Sequence, residues 1–255
     1  MTAVDRRTMS NIEISLNPDL DVGALAADYA VNKRGQVPGI FPRAVADEIH
    51  DILAEQVPWQ LTYFDGQRDQ YMDLETLRGL APEERMRMNK QRMELASKGF
   101  AYSYNTFKFH EEMQQGRHLD HPLKAFDDFL SSPEMIKFIR AYVGDPEIQS
   151  GGGHATWFGP GHYLNIHTDK IPGVDRRCAF VFNFTQKWMP DWGGELKFYS
   201  HRAAKVEEAF LPAYNMLNVF TVPKPHSVGF VSPFAAMPRL AITGWFYAGD
   251  PPPRP

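Results

Sequence analysis

The residues best suited to chemistry are two histidines, an aspartate and an arginine in the second half of the chain. His167 and Asp169 are separated by a single residue, and His226 lies far downstream. Arg239 follows His226 by thirteen positions. Two imidazoles and one carboxylate can occupy one face of an octahedral iron and leave three positions for substrate and oxygen, as in non-haem Fe(II) oxygenases. The set therefore indicates a metal enzyme.

The spacing of the three metal-binding candidates has a physical reason. In an extended segment, residues two apart project to the same side, so His167 and Asp169 can point at one metal. The third ligand must then come from another strand. His226 suits this position because Pro223 and Pro225 before it favour a strand entry and disfavour a helix.

A second histidine-x-aspartate triplet, His118 to Asp120, is not expected to bind metal. Apolar residues at helical spacing follow it over residues 123–130, so the triplet is interpreted as the approach to a helix. The first triplet instead precedes two strand-like runs, 177–184 and 193–199, which are joined by a turn-forming stretch.

The last strand-like run spans residues 239–247. Period-two alternation predicts one face with Arg239, Ala241, Thr243 and Trp245. The opposite face carries Leu240, Ile242 and Phe246. A buried guanidinium is costly without an anion, and its planar fork can bind a carboxylate through two parallel hydrogen bonds. The distal carboxylate of 2-oxoglutarate would satisfy Arg239.

These motifs carry a resemblance to a known family. The chain resembles the 2-oxoglutarate and Fe(II)-dependent oxygenases, and within them the prolyl-hydroxylase branch. The motifs that match are His167-x-Asp169, Gly193-Gly-Glu-Leu196, His226 and Arg239-x-Ala-Ile-Thr-x-Trp245. The segment 167–177 is most similar to the ribosomal-protein prolyl hydroxylases. The resemblance covers about residues 150–248.

The resemblance implies an α+β fold with a mainly β core, a double-stranded β-helix of the jelly-roll or cupin-like type, with iron near one mouth. It also implies Fe(II), 2-oxoglutarate and O2 as cofactor and cosubstrates, with ascorbate as a stimulant. The expected reaction is hydroxylation of an unactivated C–H bond with release of succinate and CO2. The expected substrate is a prolyl residue of a protein, ribosomal or translation-related.

Three alternatives stay open at this stage. The first is hydroxylation of a free amino acid or another small metabolite. The second is a non-catalytic barrel that senses or binds 2-oxoglutarate, since a fold alone does not prove activity. The third is a zinc hydrolase on the same three ligands, which would leave Arg239 without a role.

The sequence departs from the family at two positions of the cosubstrate pocket. Relatives often carry a tyrosine where this chain has Asn183, which shares the inward face with Ala179 and Val181. An aromatic position before the first ligand holds Trp157 or Phe158, which makes Tyr163 a substitute polar group. The predicted cosubstrate-binding residues are therefore Arg239, Thr243, Asn183 and Tyr163.

Three other residues with reactive side chains are assigned no role. His154 and His162 lie beside glycine-rich stretches and are interpreted as loop residues. Cys178 is interpreted as a small buried hydrophobic residue.

The N-terminal half is expected to supply helices that pack on the larger sheet of the barrel. A helix is predicted to begin at Pro42, a second to span about 122–131, and a third to begin near Ser132. The predicted domain organisation is a flexible N-terminus and one oxygenase domain that divides into a helical part and a catalytic part, followed by a tail. Their bounds are 1–20, 21–250 (with 21–149 and 150–248 as its parts) and 251–255.

The stretch between the first two predicted helices is less regular. The mixed-sign run 83–94 favours a solvated helix. The alternative is that residues 65–100 form a mobile lid over the substrate. Tyr102 and Tyr104 alternate on a predicted strand and could line a substrate groove.

Composition limits the classes of protein to which the chain can belong. A single cysteine excludes an intramolecular disulfide, and the net charge of -4 gives no electrostatic case for nucleic acid. No apolar run approaches the length of a membrane span, and the first residues lack a signal-peptide core. We therefore expect a cytoplasmic enzyme without a membrane partner.

Overall fold

The computed structural model describes residues 12–249, in which twelve strands and seven α-helices are found. The helices are α1 (Val22–Asn32), α2 (Arg43–Glu55), α3 (Leu74–Gly79), α4 (Pro82–Ala96), α5 (Phe109–Gln114), α6 (Leu123–Leu130) and α7 (Pro133–Val143). The strands are β1 (Arg34–Pro38), β2 (Gln60–Phe64), β3 (Asp69–Asp73), β4 (Tyr102–Phe107), β5 (Ser150–Phe158), β6 (Tyr163–His167), β7 (Arg176–Asn183), β8 (Leu196–Tyr199), β9 (Val206–Phe210), β10 (Met216–Thr221), β11 (His226–Val228) and β12 (Arg239–Tyr247).

The strands form one antiparallel sheet that curls into a barrel. Its order is β1-β10-β7-β12-β5-β4-β6-β11-β8-β9, and the hairpin β2–β3 joins at β4. The larger wall runs from β1 to β5, the smaller wall contains β6, β11, β8 and β9, and β4 bridges the two walls. The walls face each other, since the ring of Phe220 on β10 lies 4.5 Å from the ring of His226 on β11. This is the mainly β core that the sequence predicts, in the double-stranded β-helix arrangement.

Strand β12 shows how the sequence pattern positions side chains. It pairs with β5 on one side and β7 on the other, so it is a central strand with both edges hydrogen-bonded. Arg239, Thr243 and Trp245 face the barrel interior. Leu240 and Ile242 belong to the core on the opposite face. The predicted alternation is therefore confirmed.

The main hydrophobic core lies between the outer face of the larger wall and the helices. Phe126 of α6 meets Phe182 of β7 edge-on at 5.3 Å, and Phe41 stacks on Phe182 at 5.4 Å. Ile49 of α2 and Ile139 of α7 are buried in the same cluster. Helices α2, α6 and α7 begin close to the predicted positions.

Strand β5 differs from expectation, because the glycine-rich run before His154 is strand and not loop. The glycines are required by close packing. A Cβ on Gly151 would lie 2.7 Å from the ring of Phe246, and one on Gly153 would lie 2.9 Å from the carbonyl of Thr243. Without a Cβ, glycine leaves space for the neighbouring strand and ring. It does not mark a break in the sheet.

The ends of the chain are partly outside the described residues. The predicted tail and residues 1–11 of the predicted flexible N-terminus fall there. Residues 12–20 pack on the body, since Ile12 is buried and the backbone N–H of Asn17 donates to the carbonyl of Ile40 at 2.9 Å. Over residues 12–249, no helix combines the length and apolar character that crossing a membrane requires.

Candidate metal centre and cosubstrate cavity

The three predicted metal ligands converge at one mouth of the barrel. His167 ends β6, Asp169 lies just beyond it, and His226 begins β11, which pairs with β6 directly opposite His167. Nε2 of His167 lies 3.3 Å from Oδ1 of Asp169, and Nε2 of His226 lies 3.3 Å from Oδ2 of the same carboxylate. The possible ligand atoms all lie within 4.8 Å of one another. Among the described residues, this is the one group of three or more such side chains.

Hydrogen bonds fix the orientation of both imidazole rings. Nδ1 of His167 lies 2.9 Å from the carbonyl of Asn165, and Nδ1 of His226 lies 2.8 Å from the carbonyl of Lys224. A carbonyl accepts only, so each Nδ1 carries a proton, and in the neutral ring each Nε2 keeps its lone pair toward the site. This is the tautomer that binds a metal.

Asp169 is held by its backbone as well as by its side chain. Its φ is +61°, in the left-handed region that aspartate tolerates better than most residues. Nη1 of Arg176 donates to the Asp169 carbonyl at 2.9 Å. The Arg176 guanidinium lies 3.6 Å from the ring centre of Trp245, which orders it by a cation–π contact.

The local electrostatics favour the metal-binding protonation states of His226 and Asp169. Burial lowers the pKa of His226 to about 4, so its ring is neutral at pH 7. Burial alone would raise the pKa of Asp169, but its contacts with the imidazoles of His167 and His226 outweigh burial. The pKa of Asp169 therefore lies well below its ordinary value, and the carboxylate is ionised.

A cavity of about 520 Å³ opens beside these ligands. Residues from both walls line it, and most of its surface is apolar or aromatic. The aromatic and aliphatic lining includes Phe100, Tyr102, Tyr104, Phe158, Val181, Phe220 and Trp245. The predicted substrate-groove residues Tyr102 and Tyr104 thus face the cavity from β4.

Arg239 supplies the cavity with a buried positive charge. The residue is 3% exposed, and its Nε has no hydrogen-bond partner in the described part of the chain. Burial lowers its pKa to about 10, against the attraction of Glu195, so it stays cationic at neutral pH. A buried guanidinium of this kind is stabilised when an anion binds. The residues present therefore fit a dicarboxylate held between the metal and Arg239.

The other three predicted cosubstrate residues differ in their position relative to the cavity and in their hydrogen-bond partners. Thr243 lines the cavity, but its hydroxyl donates to the carbonyl of Phe180 at 3.0 Å, which leaves it only lone pairs to offer. The amide of Asn183 donates to the carbonyl of Met216 at 3.1 Å, and the residue lies outside the cavity lining. The hydroxyl of Tyr163 donates to the carbonyl of Arg92 at 2.9 Å, and its side chain faces away from the cavity. The structure thus brings Thr243, but neither Asn183 nor Tyr163, into the cavity beside Arg239.

Sequence reasoning missed polar residues that line the same cavity. His154 and Thr156 share the inner face of β5 with Phe158. The alternation of residues 154, 156 and 158 could have predicted them, but this stretch was assigned to a loop. Of the two aromatic candidates before the first ligand, Phe158 faces the cavity, whereas Trp157 lies against the helical core.

Arg176 was missed for a different reason. Simple alternation from Ala179 and Val181 places Arg176 on the outer face of β7. The pairing of β12 with β7 shifts register between Phe246 and Tyr247, which inserts Arg177 as an extra residue. This bulge turns Arg176 into the cavity.

The residues predicted to have no metal-binding role lie away from the site. His118 and Asp120 are exposed and precede α6. His162 lies in the turn between β5 and β6, where the N–H of Gly159 donates to its Nδ1 at 3.1 Å. Cys178 is buried and free.

Comparison with known proteins relates this part of the chain to a known family. Residues 153–247 match the family model described as the 2OG-Fe(II) oxygenase superfamily. No curated protein matches the chain. The match spans the two histidines, the aspartate and Arg239. Together with the converging side chains, the match supports an Fe(II)- and 2-oxoglutarate-dependent oxygenase.

Solved structures share the fold at low sequence identity. A Pseudomonas putida prolyl-4-hydroxylase is 19% identical, with 89% of this chain and 98% of that chain covered and a TM-score of 0.52. A Burkholderia pseudomallei oxidoreductase of the 2OG-Fe(II) oxygenase family is 14% identical, with 92% and 94% covered and a TM-score of 0.58. A Trichoplax adhaerens prolyl hydroxylase, in complex with a hypoxia inducible factor peptide fragment, is 16% identical, with 89% of each chain covered and a TM-score of 0.55.

The site residues have different roles in the reaction. His167, Asp169 and His226 would hold Fe(II), and Arg239 would bind the distal carboxylate of 2-oxoglutarate. When bound, the metal and cosubstrate supply the oxidising chemistry, with 2-oxoglutarate and O2 converted into succinate, CO2 and a hydroxylated product. The chain itself orients the ligands through two backbone carbonyls, keeps the cavity largely apolar, and restricts which C–H bond can reach the metal.

Proposed function

We propose that the protein hydroxylates a prolyl residue of a polypeptide substrate. The observation that carries this proposal is the aromatic and aliphatic wall around the metal site, formed by Tyr102, Tyr104, Val181 and Trp245. A pyrrolidine ring is apolar and carries no charge, so such a wall suits it. Two structural neighbours support the same class, since both are prolyl hydroxylases.

The charges in the cavity favour a polypeptide over a free amino acid. A free amino acid would bring an ammonium group that needs a carboxylate when it is buried. Besides the metal ligand Asp169, the carboxylate in the lining is that of Asp69, which is exposed on β3 and hydrogen-bonded to Tyr102. A peptide bond has no such requirement, and its carbonyls can accept from Arg176.

The resemblance of residues 167–177 to ribosomal-protein prolyl hydroxylases makes ribosomal proteins the first substrates to test. The Fe(II)-loaded protein would be incubated with 2-oxoglutarate and a ribosomal-protein fraction, and digested peptides would be analysed by mass spectrometry. We expect one or more proline-containing peptides heavier by one oxygen atom, with matching succinate release. Asp169→Ala serves as the inactive control.

The runner-up is hydroxylation of a free amino acid or another metabolite. A mass shift confined to small molecules in a whole-cell extract would replace the polypeptide proposal with this one. Absence of succinate with every extract would instead favour a non-catalytic binding barrel.

A further inference from the structure

A second concavity lies on the outside of the smaller wall, next to the metal cavity. This outer groove has a volume of about 690 Å³. Met93 and Ala96 of α4 form one side, and Ile166 of β6 and Phe230 after β11 form the other. The chemistry described above makes no use of it.

The outer groove adjoins the metal cavity. Phe100, Leu164 and Val228 line both. The ring of Phe100 lies 6.0 Å from the ring of the metal ligand His167. Along β6, Leu164 precedes His167 by three residues, which is roughly 10 Å in a strand. A chain that places one residue at the metal would therefore pass over Phe100 into the groove.

The walls of the outer groove are apolar and exposed. Four large apolar side chains are left open to solvent in this one concavity: Met93 at 39%, Ile166 at 42%, and Phe100 and Phe230 at 47% each. Single exposed hydrophobic residues are common, but several around one concavity mark an interaction site. The exposure therefore points to an occupant with apolar side chains.

The polar groups of the outer groove are already engaged. The amide of Asn165 donates to the carbonyls of Ala96 and Gly99 at 3.1 and 2.8 Å. The hydroxyls of Tyr199 and Ser227 share a hydrogen bond of 2.9 Å. Lys197 pairs with Glu195 at 3.4 Å. Each of these side chains already has a partner that a polar occupant would have to share, whereas an apolar side chain needs none.

We infer that the outer groove binds a large apolar side chain, aromatic or aliphatic, of the polypeptide substrate. This side chain lies roughly two to four residues from the hydroxylated residue, the distance that an extended chain of about 3.3 Å per residue covers between the two concavities. The inference rests on the proposed function in so far as the substrate is a polypeptide. In this role the groove is a specificity site that recognises the substrate sequence beside the hydroxylated residue.

The test uses short synthetic peptides with a central proline in a serine and glycine background. One phenylalanine is moved through the positions on either side of the proline. Binding to the enzyme loaded with Fe(II) and 2-oxoglutarate is measured without oxygen by fluorescence anisotropy. Oxygen is then admitted, and the mass gain of each peptide is recorded. We expect phenylalanine at one particular offset to strengthen binding by about 10-fold or more, as burial of such a side chain allows.

Two variants and a matched control assign the effect to the groove. Phe230→Ser and Ile166→Ser each remove the preference for phenylalanine at that offset. Phe234→Ser keeps it, because Phe234 lies in the same loop as Phe230, is 67% exposed and lines neither concavity. The visible band of the Fe(II) and 2-oxoglutarate complex stays unchanged in all three, which shows that the variants are folded and loaded.

The two readouts separate failure of this inference from failure of the proposed function. If phenylalanine at one offset strengthens binding and Phe230→Ser abolishes this effect, the inference about the groove is supported. This holds whether or not the peptides gain oxygen. The same preference without any mass gain contradicts prolyl hydroxylation alone. Equal binding of all peptides, or a preference that survives both Phe230→Ser and Ile166→Ser, overturns the groove even if proline is hydroxylated.

Discussion

At the scale of single residues, Asp169 connects most of the site. Its two carboxylate oxygens each lie 3.3 Å from one imidazole nitrogen, so it stands between His167 and His226. Its left-handed backbone conformation turns the carboxylate back toward His167, and Arg176 holds its carbonyl. The residue therefore sets both the charge of the metal site and the position of Arg176 in the cavity.

Replacement of a metal ligand should remove the Fe(II) and 2-oxoglutarate complex. With His167→Ala or Asp169→Ala, we expect the weak visible charge-transfer band of the anaerobic complex to disappear, because two protein ligands do not hold the metal firmly enough to form the chelate. The band is measured by anaerobic titration.

The second triplet of the chain gives the matched control. His118→Ala and Asp120→Ala remove the same residue types from an exposed loop before α6, and the band should persist. A full band in His167→Ala would refute the ligand assignment.

Replacement of Arg239 should separate cosubstrate binding from stability. In Arg239→Met, 2-oxoglutarate affinity should fall at least about 30-fold, since loss of one partner of a buried charge pair costs about 2 kcal/mol or more. The melting temperature without 2-oxoglutarate should not fall, because the variant removes a buried charge whose desolvation is costly and whose Nε has no hydrogen-bond partner among the described residues. Isothermal titration and thermal melting measure the two effects.

A surface arginine of the same barrel tests the specificity of this result. Arg177 pairs with Asp145 at 2.6 Å and Glu147 at 3.0 Å, outside the cavity. Arg177→Met should therefore leave 2-oxoglutarate affinity unchanged. Equal losses of affinity in both variants would mean that Arg239 acts through general destabilisation.

At the scale of elements, α4 is attached to the barrel by few contacts. None of its residues is buried, which agrees with the predicted solvated helix. Its C-terminal half is held from β6, where Tyr163 donates to the carbonyl of Arg92 and Asn165 donates to that of Ala96. Since α4 also forms one side of the outer groove, these bonds help to hold that side in place.

Loss of the Tyr163 hydroxyl should loosen α4 without affecting the cosubstrate. In Tyr163→Phe we expect faster amide hydrogen exchange over residues 82–99 and a loss of about 1 kcal/mol in the free energy of unfolding, the typical value of one hydrogen bond. Affinity for 2-oxoglutarate should not change. A weaker affinity would instead support the sequence-based assignment of Tyr163 to the cosubstrate. Tyr214→Phe, which loses a bond to Asp47 on α2, is the control.

The elements that could be predicted from sequence are those with clear periodicity. Strand β12 was predicted because apolar and polar residues alternate along it, and α7 because its apolar stripe follows Ser132, whose hydroxyl accepts from the N–H of Met135. Strand β5 was missed because its glycines resemble a loop, and only the folded neighbours show that Phe246 occupies the space. Periodicity indicates which face of a strand is buried. It does not indicate which neighbouring side chain packs so closely that only glycine fits.

The site residues divide in the same way. The convergence of His167, Asp169 and His226 could be predicted, because their types and spacing are specific to one kind of metal site. Tyr163 and Asn183 could not be placed, because their side-chain partners are carbonyls of Arg92 and Met216 that lie far away in sequence. Arg176 required knowledge of the bulge at Arg177, which depends on how two strands register.

At the scale of the whole molecule, folding brings ionisable groups from distant segments into a dry interior. The resulting pKa shifts make stability depend on pH. His162, in the turn between β5 and β6, illustrates this outside the metal site, because burial lowers its pKa from 6.5 to about 4. Between these two values the unfolded chain binds a proton that the folded chain does not, so stability falls as the pH is lowered.

The effect of His162 should be visible in global unfolding. Its contribution is fully present above pH 6.5 and should fall by about 2 kcal/mol between pH 7.5 and pH 5, given the shift of the pKa to about 4. Urea unfolding of the wild type and of His162→Asn at the two pH values measures it. The difference between the two pH values should be smaller in His162→Asn by that amount, whereas His118→Asn, in an exposed loop, should match the wild type. An unchanged pH dependence in His162→Asn would show that the folded barrel accommodates the charged ring, and that burial at this turn does not depress its pKa.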